Sequence, residues 1–139
     1  MARRPRQLRR DDVGLFARAM RADGKTETYA FADVDRSVSA GLSIQGASWQ
    51  RAADTVGLAV AGNFLSSAQR RYLERGGLTF FLGDGALRYG PERIFEAYYS
   101  LMVDRSLRLT ADYQRIQNPG YNAARGPASF CALRLHWEK

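Results

Sequence analysis

Histidine and cysteine occur once each in this sequence, as His136 and Cys131. A single cysteine excludes an internal disulfide and any multi-cysteine metal site. A single histidine without ligating neighbours offers neither catalysis nor metal binding a partner, so no cofactor is expected. Nowhere do about 18 apolar residues run together, which excludes a transmembrane helix. No apolar run follows the N-terminal arginines, so the start does not read as a signal peptide. These absences leave a membrane β-barrel open, since its strands need only about 9–11 residues of alternating polarity. Negative charge is also scarce, with 14 acidic residues against 21 basic ones and a net charge of +7. That balance suggests an anionic partner, but Arg3, Arg4, Arg6, Arg9 and Arg10 supply much of it. Residues 1–10 therefore read as a solvated, disordered basic arm; no nucleic-acid partner is expected.

Apolar residues are not scarce. A hydrophobic content of 45% and an aromatic content of 12% exclude a disordered chain. They are arranged with a period of two, the signature of strands with one apolar face. Val13, Leu15, Ala17 and Ala19 alternate with Gly14, Phe16, Arg18 and Met20. Val38, Ala40, Leu42 and Ile44 alternate with Ser37, Ser39, Gly41 and Ser43. This second polar face has almost no bulk, which suits a wall that something passes or approaches closely. Residues 55–63 repeat the theme, with Val56, Leu58 and Val60 opposite Gly57, Ala59 and Ala61.

Residues 93–115 read as a hairpin. Phe95, Ala97, Tyr99, Leu101 and Val103 face one way and Glu96, Tyr98 and Ser100 the other. After Asp104-Arg105-Ser106, Leu107, Leu109, Ala111 and Tyr113 alternate with Arg108, Thr110, Asp112 and Gln114. A last strand spans residues 128–137, with Ser129, Cys131, Leu133, Leu135 and Trp137 against Phe130, Ala132, Arg134 and His136. Residues 66–75 read as a short helix capped by Ser66 or Ser67 and stopped by Gly76-Gly77. Residues 46–54 read as a loop carrying Trp49, a candidate interfacial anchor. Gly83-Asp84-Gly85 reads as a turn; no Lys-Ser/Thr follows it, so it is not a phosphate loop.

Six strands result, and the links after the first, third and fifth are long while those after the second and fourth are short. Charges inside the strands (Arg18, Glu96, Arg108, Asp112, Arg134, His136) all fall on the less apolar face. A soluble sandwich also buries one face and wets the other, so parity alone does not decide the surroundings. Alternating links, and Tyr99, Tyr113 and Trp137 on the apolar face, favour an up-and-down barrel with aromatic girdles.

Several tracts resemble the carbohydrate-selective porins of the bacterial outer membrane, the OprB type. They are Val13-Gly14-Leu15-Phe16-Ala17-Arg18-Ala19 and Asp23-Gly24-Lys25-Thr26-Glu27-Thr28, followed by Asp35-Arg36-Ser37-Val38-Ser39-Ala40-Gly41-Leu42. Gly83-Asp84-Gly85, Tyr89-Gly90-Pro91-Glu92, Glu96-Ala97-Tyr98-Tyr99-Ser100-Leu101, Asp112-Tyr113-Gln114 and Leu133-Arg134-Leu135-His136 continue the series in order. The resemblance covers about residues 11–139. It implies an all-β, antiparallel, up-and-down transmembrane barrel of about sixteen strands, of which this chain supplies the last six plus a short helix in a long loop. It further implies passive diffusion of sugars through a water-filled channel in the outer membrane, with no cofactor, no enzymatic step and possible homo-oligomers. Porins of this kind begin with a signal peptide and earlier strands and usually end in phenylalanine. This chain begins with Met1 and its basic arm and ends Trp137-Glu138-Lys139, so it reads as a fragment. With two open edges, it is expected to need detergent or to associate when expressed alone.

On that resemblance Arg18, Glu96, Tyr98, Arg108, Asp112 and Arg134 are the candidate channel lining. The arginines would donate hydrogen bonds to sugar hydroxyls. Glu96 and Asp112 are expected to balance cross-strand arginines and not to serve as a glycosidase acid/base pair. Tyr98 and Phe130 either stack on sugar rings or pack against an inserted loop. His136 reads as a rim or lumen residue and Cys131 as a small hydrophobe. The competing class is a small soluble all-β binding module, its apolar face folded around a core and its basic arm contacting anionic ligands. The two classes differ in which face meets lipid.

Overall fold

The structure, a computed structural model, describes residues 12–25, 33–79, 82 and 87–139. The basic arm, Thr26-Glu27-Thr28 and the Gly83-Asp84-Gly85 turn lie outside the described residues. Six strands form one sheet: β1 (Val13–Arg21), β2 (Arg36–Gly46), β3 (Arg51–Phe64), β4 (Glu92–Met102), β5 (Leu107–Gln117) and β6 (Ala128–Trp137). Every neighbouring pair is antiparallel and the spatial order is the chain order, β1 to β6. Such a meander places the short links 47–50 and 103–106 on one rim. The links 22–35, 65–91 and 118–127 fall on the other. Among the described residues the outer edges of β1 and β6 pair with nothing.

The register carries the period-two pattern across all six strands. Leu15, Leu42, Leu58, Ala97, Tyr113 and Cys131 are directly opposite one another in turn, a continuous apolar row. Val13, Ile44, Val56, Tyr99, Ala111 and Leu133 form the next row on the same face. A one-residue slip would send each of these side chains to the polar face, so the pattern fixes the register.

Nothing covers that apolar face among the described residues. Leu15 is 78% exposed, Leu133 72% and Leu135 67%. The buried hydrophobic side chains are instead Leu65, Leu73 and Tyr121, packed with Val34, Leu87 and Tyr89 on the long-link rim. Water penalises bare apolar surface on this scale, whereas hydrocarbon does not. Among the described residues, this face wraps around no core of the kind a soluble module would need.

The small rim core is assembled by α1 (Ser67–Glu74). Of the two candidate caps it is Ser66 that acts: its backbone is extended and its hydroxyl accepts from the Gln69 amide at 3.1 Å. The Ser66 amide in turn donates to Asp35 Oδ2 at 2.6 Å, tying the helix start to the link after β1. Leu73 enters the core, and the Arg70 guanidinium stacks 4.3 Å from the centre of the Tyr89 ring. Tyr89 is bridged to Asn122, which joins this cap to the link after β5.

One link departs from expectation. Residues 46–54 do not form a loop; a short 3-10 turn, Ala47–Trp49, suffices, and β3 begins at Arg51. The reason is Asp54, which is 1% exposed and accepts from the Arg51 side chain, from Tyr99 Oη at 2.6 Å and from the Met102 amide at 2.9 Å. This carboxylate holds a polar stretch in extended form beside the end of β4. Trp49 joins the cluster, its indole N–H donating to Tyr99 Oη at 3.3 Å. The second short link is an Asx turn, with Asp104 Oδ1 accepting from the amides of Ser106 (2.7 Å) and Leu107 (2.9 Å).

Candidate functional site: the polar face of the sheet

Along β2 and β3 the polar face consists of Ser37, Ser39, Gly41 and Ser43 and of Gly57, Ala59 and Ala61. What approaches these small residues is the molecule's own aromatic side chains. The Tyr98 ring lies over Gly57, its directly opposite partner, and the Phe16 ring lies over Gly41, also directly opposite. A Cβ at either glycine would overlap ring carbons, so the pairs require hydrogen at those positions. Close approach to these glycines is made by two of the molecule's own aromatic rings.

On β4, β5 and β6 the same face is bulky and polar. Here a groove of about 820 Å³ opens, lined by Glu96, Tyr98, Arg108, Asp112 and Arg134 together with Phe130 and His136. Five of the six candidate residues thus line one groove. Arg18 does not: it lies on edge strand β1, opposite Ser39, with its guanidinium 5.6 Å from the centre of the Phe16 ring.

Hydrogen bonds order the groove. Arg108 Nη1 donates to Ser100 Oγ at 3.1 Å and reaches the Ala53 carbonyl at 3.4 Å. Thr110 Oγ1 donates to the same Ser100 hydroxyl at 3.1 Å. Ser100 is buried, so the register pair Ser100 and Thr110, with Arg108 bonded to the same hydroxyl, forms a polar floor toward the short-link rim. Glu96 accepts from Gln114 Nε2 at 3.0 Å, its directly opposite neighbour. That corrects one expectation: Glu96 meets an amide, not an arginine, because the register sets Gln114 across from it. Asp112 stands between Tyr98 and Ala132 in its row, with Arg134 one diagonal step away opposite Thr110. His136 lies at the rim, its Nε2 3.0 Å from Glu138 Oε1.

Towards the long-link rim the polar face continues as a chain of amides and carboxylates. Ser37 donates to Asn63 at 2.8 Å, Asn63 Nδ2 donates to Glu92 at 3.1 Å, and Glu92 accepts from the Gly120 amide at 3.0 Å. Ser100, Thr110, Gln114, Asn63 and Glu92 were not singled out from the sequence. Alternation did place Ser100, Thr110, Gln114 and Asn63 on the polar face; what it does not give is their hydrogen-bond partners, which register sets.

On the opposite face Tyr113 Oη and Ser129 Oγ lie 3.2 Å apart, so these two polar groups of the apolar side satisfy each other. Tyr113 sits at mid-strand, away from any girdle position. Among the described residues no helix is long and apolar enough to cross a membrane, a statement that does not bear on strands. Nor does any cluster of His, Cys, Asp or Glu among them suit a metal ion.

The sequence model of the family described as "Carbohydrate-selective porin, OprB family" matches residues 2–138. No curated protein and no solved structure matches the chain. An antiparallel meander with one bare apolar face and one ordered polar face is the wall such a channel requires. With a match over nearly its whole length, the chain belongs to the OprB family of carbohydrate-selective porins, outer-membrane β-barrel channels.

Proposed function

We propose that this chain forms one flank of a water-filled channel through which carbohydrates diffuse passively across the outer membrane. The polar face is the channel wall and the apolar face meets lipid. The observation that carries this reading is the sheet's asymmetry. Leu15, Leu133 and Leu135 stand bare on one side, while Glu96, Arg108, Asp112 and Arg134 share a groove on the other. Membrane barrels alternate apolar-out and polar-in in this way.

Within the groove Arg108 and Arg134 donate to sugar hydroxyls, and Glu96 and Asp112 accept from them. Tyr98 and Phe130 offer ring faces to the apolar faces of a sugar. Tyr98 lies over Gly57 and so lines the wall. Arg18 acts on the far flank. The edges at β1 and β6 pair with further strands, as a closed barrel of about sixteen demands.

The test is to refold the chain from denaturant into detergent and add it to planar lipid bilayers. Because six strands close no barrel by themselves, discrete conductance steps that fall when a disaccharide is added are expected from assemblies in which copies of the chain join edge to edge. Replacing Arg108 and Arg134 together by Glu should shift the ion selectivity toward cations and leave the step size comparable. Inserted assemblies of the folded chain that carry no current, or a selectivity indifferent to these two charges, would refute the reading.

A further inference from the structure

The alternation that sends charge to the polar face fails on one rim. The strands extend further than their apolar runs, and at their long-link ends Arg21, Arg36, Arg93 and Arg115 fall on the apolar face. Register fixes this placement. Arg21 is directly opposite Arg36, in the row of Phe64. Arg93 is opposite Gly62 and Gln117, in the row of Ala19 and Val38. Arg115 is opposite Phe95 and Ser129, in the row of Ala17, Ala40 and Val60. All four side chains are exposed, and none pairs with a carboxylate among the described residues. Arg115 stands beside the Tyr113 hydroxyl, a neutral group. Glu92, the acidic residue next to Arg93, points to the other face, where Asn63 and Gly120 occupy it.

The four do not lie in one row; they descend two rows from β1 to β5. Two rows are about 14 Å along the strands, and four strand spacings are about 19 Å across them, a slope of about 35°. Strands of membrane barrels tilt by about 35–45°, so a staircase of that slope becomes a line parallel to the membrane plane. The strand ends descend in the same sense, from Arg21↔Arg36 through Asn63↔Glu92 to Ile116↔Ala128 on this rim. They do so from Val13↔Ile44 to Leu107↔Trp137 on the other. The arginines therefore form a belt at one depth, immediately above the apolar band.

Opposed arginines such as Arg21 and Arg36 repel each other unless an anion lies between them. Beside Arg93 and Arg115 the outer face also has a shallow hollow of about 630 Å³, floored by Val38, Ala40, Val60 and Phe95. Guanidinium groups above an apolar hollow match a molecule with a phosphate head and an acyl chain, because Arg binds phosphate oxygens in a bidentate fork. We propose that this belt is a binding site for a phosphate-bearing membrane lipid, seated with its head between the arginines and a chain in the hollow. The inference rests on the apolar face meeting lipid, as proposed above. Long loops lie on the external side of such barrels, which assigns the lipid to the outer leaflet.

The probe is phosphatidic acid added to the full chain refolded in neutral detergent, with bound lipid counted by native mass spectrometry. Phosphatidylcholine and inorganic phosphate serve as comparisons. Phosphatidic acid should bind more tightly than phosphatidylcholine. The double change Arg93→Gln and Arg115→Gln should weaken it about tenfold or more, each surface cation contributing a severalfold factor. Arg93→Lys with Arg115→Lys should lose less, since charge is kept and the fork is not. Changing Arg108 and Arg134 to Gln, on the other face, should leave lipid binding unchanged. Equal binding of phosphatidylcholine, or no loss in the Gln variant, would overturn the lipid site and leave the channel reading intact. Inorganic phosphate binding as tightly as the lipid would overturn it as well, reducing the belt to a bare anion site. Equal losses from both pairs would overturn the assignment of faces itself.

Discussion

Tyr98 and Gly57 are directly opposite each other on β4 and β3, and the Tyr98 ring occupies the space where a side chain on residue 57 would stand. The missing side chain lets the ring lie against the wall instead of projecting from it.

Gly57→Ala should therefore force the ring away from the sheet, at a cost of about 1–3 kcal/mol from overpacking. Removing the ring as well, in Gly57→Ala with Tyr98→Ala, should recover most of that loss. Urea titrations of folding into lipid vesicles measure both, and a double-mutant cycle isolates the coupling. Losses that simply add would show that the ring and the glycine are not in contact.

Asp54 fastens the start of β3 to the end of β4 through Arg51, Tyr99 and the Met102 amide. Asp54→Ala strands the Tyr99 hydroxyl and the Met102 N–H inside the short-link rim. The folded form should then be lost at a temperature lower by several degrees, read as the heat at which the compact band disappears on gel electrophoresis. Asp54→Asn keeps an acceptor and should fall between the two. An unchanged transition in the alanine variant would mean that the rim is held elsewhere.

Tyr121, in the cap outside the strands, is 3% exposed. Burial, with Glu92, Asp33 and Asp35 nearby, raises its pKa well above the ordinary tyrosine value. A phenol held neutral in the fold and free to ionise when exposed favours the folded cap fully below the ordinary tyrosine pKa. That preference is lost as pH climbs above it, because the unfolded form then binds fewer protons. The near-UV circular dichroism of the cap should fade as pH rises past about 10. Tyr121→Phe should lose this pH dependence, and a Phe variant that fades in the same way would exclude Tyr121 as its source.

Much of this structure is legible in the residues because strand alternation is local. β6 spans Ala128–Trp137, the stretch its alternation marks, and the Ser66 cap and the stop before Gly76-Gly77 are set by neighbours in sequence. What escapes is set by partners far along the chain. Arg51 to Asp54 read as loop because their strand form depends on Tyr99 and Met102, 45 and 48 residues beyond Asp54. The arginine belt escapes for a related reason: Arg21, Arg36, Arg93 and Arg115 stand at the ends of separate alternating runs, and only the register between strands brings them onto one line. The pairing of Glu96 with Gln114, and the separation of Arg18 from the other lining residues, likewise follow from register, which no single strand contains.

The central claim is that one face of this sheet meets hydrocarbon and the other meets water, and β3 tests it most directly. With Cys131 replaced by Ser, single cysteines at residues 56, 58 and 60 and at 55, 59 and 61 would carry a nitroxide spin label in vesicles. Collision with oxygen, which partitions into lipid, should be high at 56, 58 and 60. Collision with a water-soluble nickel chelate should be high at 55, 59 and 61. A period of two, in opposite phase for the two reagents, is the predicted result. Labels at 58 and 60 that meet the nickel chelate as freely as those at 59 and 61 would contradict the account.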